Sequence, residues 1–194
     1  MPQECPQMRH ISNDDQCLEN YAGLGATAYF FLVDDIDKSA LVATQETYAW
    51  TATTFKEGKG FYKVELRENS QSFTGESQGK RKGFKITGQL IIEVVNEAVS
   101  ELLRALNNRE FGIILGDGEK YQIMYSPSKK VTLESGALKT ETGASSSDDR
   151  IATLAPVIEN VAYSNFWVTF PSGKTPDDYV LSDEQEEEEE KDGE

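Results

Sequence analysis

The sequence predicts an α+β domain: a mostly antiparallel β-sandwich or open barrel with one flanking α-helix and a long β-hairpin. Three observations predict it. Short runs rich in β-branched and aromatic residues recur along the chain, separated by turn-forming residues. Several of these runs alternate apolar and polar residues with period two. A single segment carries an apolar stripe at helical spacing. At 194 residues the chain suits one domain, large enough to build a core without disulfides or metal.

Residues 1–24 are polar with scattered apolar side chains, and read as an arm that orders only against a partner. Ala26 to Val33 (ATAYFFLV), bounded by Asp34 and Asp35, predicts a buried strand. Thr47 to Phe55 is rich in threonine and aromatics, which favours a strand, with Tyr48 and Trp50 expected in the core. From Phe61 to Arg67 the alternation is clean: Tyr62, Val64 and Leu66 share one face, Lys63, Glu65 and Arg67 the other. A weaker strand covers Ser70 to Gln78. Gly79 to Gly83, with Lys80, Arg81 and Lys82 between the glycines, is a charged turn. Phe84 to Val95 is a long strand, interrupted at Gly88 by a residue that marks a bend or bulge.

The helix is expected at Glu97 to Leu106. Asn96 suits the N-cap, because its side-chain oxygen can accept from a free first-turn amide. Val99, Leu102, Leu103 and Leu106 make the stripe, leaving Glu101 and Arg104 in water. Phe111–Leu115 and Tyr121–Tyr125, joined by Gly-Asp-Gly-Glu, predict a hairpin. Val131 to Leu133 is a short strand, and the Gly-, Ser- and Thr-rich stretch from Ser135 to Asp149 a long flexible loop. Ile151–Leu154 and Val157–Tyr163 read as short strands around Pro156, and Asn165–Phe170 as the last strand. The total is eight or nine strands. The domain is placed at residues 25–174, with a disordered acidic tail at 175–194.

Charge narrows the function. The chain holds 34 acidic and 19 basic residues, a net of −15. From Asp177 to Glu194 there are 11 acids and one lysine, so two thirds of the imbalance is terminal. Such a balance argues against binding to nucleic acid or an anionic membrane, both of which attract basic faces. There is no run of about 18 apolar residues to cross a bilayer, and the start lacks the basic-then-apolar layout of a secretory signal.

Chemical motifs are weak. Gly23, Gly25 and Ala28 follow the glycine spacing of a dinucleotide loop but lead into a strand, where no helix N-terminus meets the pyrophosphate. Asp35, Asp37, Ser39 and Glu46 occupy calcium-loop places, yet Ala40 stands where the sharp turn needs glycine, so a solvated turn is expected. Cys5, His10 and Cys17 match no zinc module; two plain thiols are expected, with a Cys5–Cys17 disulfide as the alternative. With one histidine in an arm, no nucleophile–base pair can be assembled, and neither enzyme activity, catalytic residue, metal nor cofactor is expected. The Lys80–Lys82 cluster reads either as a solubilising hairpin tip or as a contact with an acidic surface of another copy.

The order of elements carries a resemblance. A long alternating hairpin (FYKVELRENSQSFTGESQGKRKGFKITGQLIIEVV) is followed by one short amphipathic helix (NEAVSELLRALNN). Then come a hairpin (FGIILGDGEKYQIMY), a Gly/Ser loop and a closing strand (NFWVTF). Over roughly residues 25–171 this pattern resembles the tail tube proteins of tailed bacteriophages. The resemblance implies a virion structural protein, made in the host cytoplasm, whose copies form hexameric rings. The rings stack into the tail tube, a conduit for DNA ejection, alongside other phage tail proteins and with no membrane partner. DNA passes without specific binding, because an acidic or neutral lumen repels phosphates. Carried to this chain, Lys63, Glu65, Arg67, Lys85, Thr87, Gln89 and Glu93 would face the lumen, and Lys80, Arg81 and Lys82 would touch the next ring. Alternatives are a capsid-decorating or head–tail joining protein, and a monomeric β-sandwich binding module.

Overall fold

The computed structural model describes residues 24–44, 47–79, 83–116, 120–141 and 150–181. They form two sheets and one α-helix, an α+β sandwich whose sheets do not close into a barrel. The strands are β1 (Thr27–Leu32), β2 (Val42–Thr44), β3 (Thr47–Ala49), β4 (Tyr62–Glu65), β5 (Ser72–Ser77) and β6 (Phe84–Ile92). After α1 (Glu97–Asn108) come β7 (Phe111–Gly116), β8 (Tyr121–Met124), β9 (Thr132–Glu141), β10 (Ile151–Val161) and β11 (Trp167–Thr169). The larger sheet has the order β2-β3-β11-β8-β7-β1-β4, and the smaller one β5-β6-β10-β9. All pairs are antiparallel except β3 with β11.

Strands β1 and β7 are adjacent interior strands of the larger sheet and are buried on both faces. Their register sets Phe30 opposite Ile113 and Leu32 opposite Phe111 on one face. That face meets the inner face of the smaller sheet, where Ile86, Leu90, Ala152, Leu154 and Ile158 are buried. The other face is aromatic: Phe31 contacts Trp50 at 5.2 Å and Phe61 at 6.1 Å, and Trp50 contacts Phe55 and Phe61. These two Phe31 pairs are edge-to-face, and each adds about 1 kcal/mol beyond its area. Phe31 also lies flat over Gly112, where an added Cβ would come within 2.2 Å of its ring.

Helix α1 runs two residues beyond the expected end. The Asn96 side chain accepts from the Val99 amide at 2.9 Å, the predicted cap, worth about 1 kcal/mol. Leu103 and Leu106 are buried and Val99 and Leu102 half-buried, while Glu101 and Arg104 are exposed. Each buried leucine contributes about 2 kcal/mol, and this stripe pins the helix beside β1 and β4.

Several expectations are corrected. The segment Thr47–Phe55 is a strand only as far as Ala49, because the Thr51 amide donates to Thr54 Oγ1 at 2.9 Å and closes a turn. The long hairpin over 61–95 is not one unit. Asn69 adopts a φ of 55° and turns the chain, so β4 joins the larger sheet while β5 and β6 form a hairpin in the smaller one. Ser135–Glu141, expected in a loop, belongs to β9, because residues 138–141 pair with β10. The segments around Pro156 are a single strand. Its register with β9 shifts between Leu154 and Pro156, which accommodates a residue without an N–H.

Residues 175–181, expected in the disordered tail, are structured. Thr175 and Asp178 form a reciprocal capping box on a 3-10 turn at Pro176–Tyr179, and Val180 bridges Phe61. Residues 182–194 lie outside the described residues.

Candidate interaction surfaces

The sequence placed seven residues on one face, and the fold divides them between two sheets. Lys63 and Glu65 are on β4 at the edge of the larger sheet. Lys63 pairs with Asp177 at 2.8 Å, and Asp177 also accepts from the Tyr29 hydroxyl at 3.0 Å. Burial and that carboxylate together hold the Tyr29 phenol well above its ordinary range. Arg67 and Glu93 sit at the crossover between the sheets and approach to 3.5 Å. The turn at Asn69 sends Lys63 and Glu65 into a different layer from Lys85, Thr87 and Gln89, while Glu93, just past the end of β6, lines the groove beside α1.

Lys85, Thr87 and Gln89 do share a face, the outward face of the smaller sheet. Ile86, Gly88 and Leu90, which alternate with them, point inward. At Gly88 an added Cβ would sit 2.8 Å from the Pro156 ring and 3.2 Å from Met124, so the bare backbone lets the sheets close. Cross-strand register adds Thr74 and Glu76 from β5 to the outward face, and Thr153 and Glu159 from β10. From β9 come Glu134, Lys139 and Glu141.

The charges on that face are paired. Lys85 reaches Glu159 at 3.1 Å and, across β10, Glu134 at 3.2 Å. The hydrogen bonds that Lys85 donates to Glu159 and then Glu134 raise its pKa, so the ammonium stays charged and occupied. Lys139 pairs with Glu141. Four glutamates against two lysines leave the surface acidic, with no lysine there left without a carboxylate. Beyond Lys85, sequence reasoning did not reach this network, because its carboxylates lie on strands whose pairing no local pattern reveals.

A second surface lies between α1 and β4. It is a groove of about 630 Å³, lined by Tyr62 and Val64 of β4, by Leu66 just after it, by Val94, and by Val99 and Leu102 of α1. Val94, 56% exposed, is the exposed large apolar side chain among the described residues.

Lys80, Arg81 and Lys82 lie outside the described residues, as do Cys5, His10, Cys17 and Glu46. Of the calcium-loop candidates, Asp35 is buried and Asp37 accepts from the Ser39 amide and hydroxyl, a local turn. Among the described residues no cluster of metal-ligating side chains exists, and no helix is long and apolar enough to cross a membrane. Of the dinucleotide-loop candidates, Gly23 lies outside the described residues, Gly25 precedes β1 and Ala28 is within it. Tyr48 and Trp50 are core residues, 3% and 1% exposed.

No family model matches the chain, and neither the curated proteins nor the solved structures compared with it give a match.

Proposed function

We propose that the protein is a virion structural protein whose copies associate into stacked rings, forming a tail tube through which DNA passes. The observation that supports this reading is the smaller sheet. Among the described residues its outward face is net acidic and its lysines, Lys85 and Lys139, are ion-paired, so these residues offer phosphates repulsion and no open cation. Both its rims, β5 and β9, pair on one side only among the described residues. Rims of six and ten residues are templates for another strand unless something covers them. A head-to-tail contact that joins β5 of one copy to β9 of the next would remove both rims and close a ring. The acidic faces of successive copies would then line one channel, and the chain acts as a building block, not a catalyst.

Negative-stain imaging and sedimentation of the purified protein test the reading. Rings or tubes of uniform width are the expected result. A strictly monomeric species at high concentration and across salt conditions overturns it, and co-purification with capsid shells would assign the chain to the head instead.

A further inference from the structure

We propose that the groove between α1 and the free edge of β4 is the docking site of the chain's own N-terminal arm, residues 1–23, laid extended along β4. This stands independently of ring assembly.

The first ground is an incomplete ladder. Leu66 donates its N–H to Ala26 at 2.7 Å, so in the β1–β4 pair the even-numbered residues of β4 face β1 and the odd ones face away. Phe61, facing away, donates to Tyr179 and accepts from Leu181. At the other end the Arg67 amide donates to Ile91. Between them, the outward N–H and C=O groups of Lys63 and Glu65 have no partner among the described residues. An unpaired edge beside an apolar groove takes an extended segment by strand addition.

The second ground is where the chain enters. Leu24 and Gly25 are clamped by Gln71, and Ala26 touches Leu66, which itself lines the groove. The arm therefore starts at the Leu66 end. Seven residues back from Leu24 span about 23 Å, against about 13 Å for the four residues of β4. In an extended arm Cys17 and Tyr21 share one face, which can turn towards Val94, Val99 and Leu102, while Leu18 and Ala22 fall on the other. The segment after Leu181 also leaves beside β4, but its nine acids would meet a net acidic wall, Glu65, Glu93 and Glu101 against Arg109 and a Lys63 already paired with Asp177. Residues 16–23 carry a single acid, Glu19. Charge therefore selects the arm.

The natural thiol at Cys17 makes the test direct. In the full chain carrying Cys5→Ser, Ala98→Cys or Ala105→Cys places a thiol on the α1 wall of the groove, and Glu134→Cys places one on the outward face of the smaller sheet. After mild oxidation at low protein concentration, a disulfide from Cys17 within one chain is expected at one or both α1 positions, at least ten-fold above the Glu134 control. Equal yields at all three positions, or cross-links only between two chains, overturn the proposal. Hydrogen exchange at the Lys63 and Glu65 amides gives a second readout. Deleting residues 2–20, which leaves the Gln71 clamp intact, should speed it at least ten-fold, and an unchanged rate overturns the proposal.

Discussion

The side-chain amide of Gln71 holds the backbone at Leu24, donating to its carbonyl at 2.6 Å and to that of Gly25 at 2.8 Å. Gln71 is 6% exposed, and its own oxygen accepts from the Ser70 amide at 3.0 Å. One buried amide thus fixes where the arm meets the domain. In Gln71→Leu, two carbonyls lose their donors in a half-buried site, and stability should fall by about 1–3 kcal/mol. Urea denaturation checks it as a lower midpoint at unchanged slope.

Gly112 and Phe31 predict an overpacking effect. With Phe31 Cζ 2.2 Å from the position of an added Cβ, Gly112→Ala forces the ring out of the aromatic cluster. The cost should be about 1–3 kcal/mol. It should shrink in a Phe31→Leu background, which a double-mutant cycle reads as coupling between the two sites.

Leu90 and Leu154 face one another across β6 and β10, and both are fully buried. Either Leu→Ala change should cost about 2–5 kcal/mol through lost burial and the cavity left behind. Thermal unfolding followed by near-ultraviolet circular dichroism measures it.

Tyr48 predicts an alkaline limit. Burial pushes its phenol up to about 12 from an ordinary value near 10. Because the folded pKa lies above the unfolded one, the phenol's contribution is complete below about pH 10 and is lost as pH rises towards 12. Tyr48→Phe forfeits only a long 3.5 Å bond to the Tyr125 carbonyl, and should lessen this decline. Melting temperatures between pH 9 and 12, alongside absorbance titration of phenolate, test the difference.

Reversing the outward face should change how DNA behaves towards it. Glu134→Lys with Glu159→Lys removes both carboxylates from Lys85 and turns an acidic surface basic. Filter binding at low salt should then detect duplex DNA retained by the variant and not by the parent protein, with retention falling as salt rises.

Local rules made part of this legible. Helix α1 announces itself because its cap, Asn96, and its stripe lie within a dozen residues, and β1 and β7 because both faces are buried and the runs are continuously apolar. What failed depends on distant pairing. Nothing near Ser135–Glu141 marks a strand; β10 makes it one. Nor does the alternation in β4 and β6 say that they belong to different layers, which Asn69 decides. Among the site residues, period two sets Lys85, Thr87 and Gln89 on one face of β6, and they share its outward face. Glu134, 49 residues away, joins Lys85 only once β9 is laid beside β10.

The capping box at Thr175 and the bridge from Val180 to Phe61 deliver the far end of the domain to the same short strand that receives its beginning. Ala26 lies at Leu66 and Val180 at Phe61, about 16 Å apart along β4. A chain closed by a spliced linker of about eight residues, and reopened at the exposed Ser126–Lys129 turn, should therefore fold as a circular permutant.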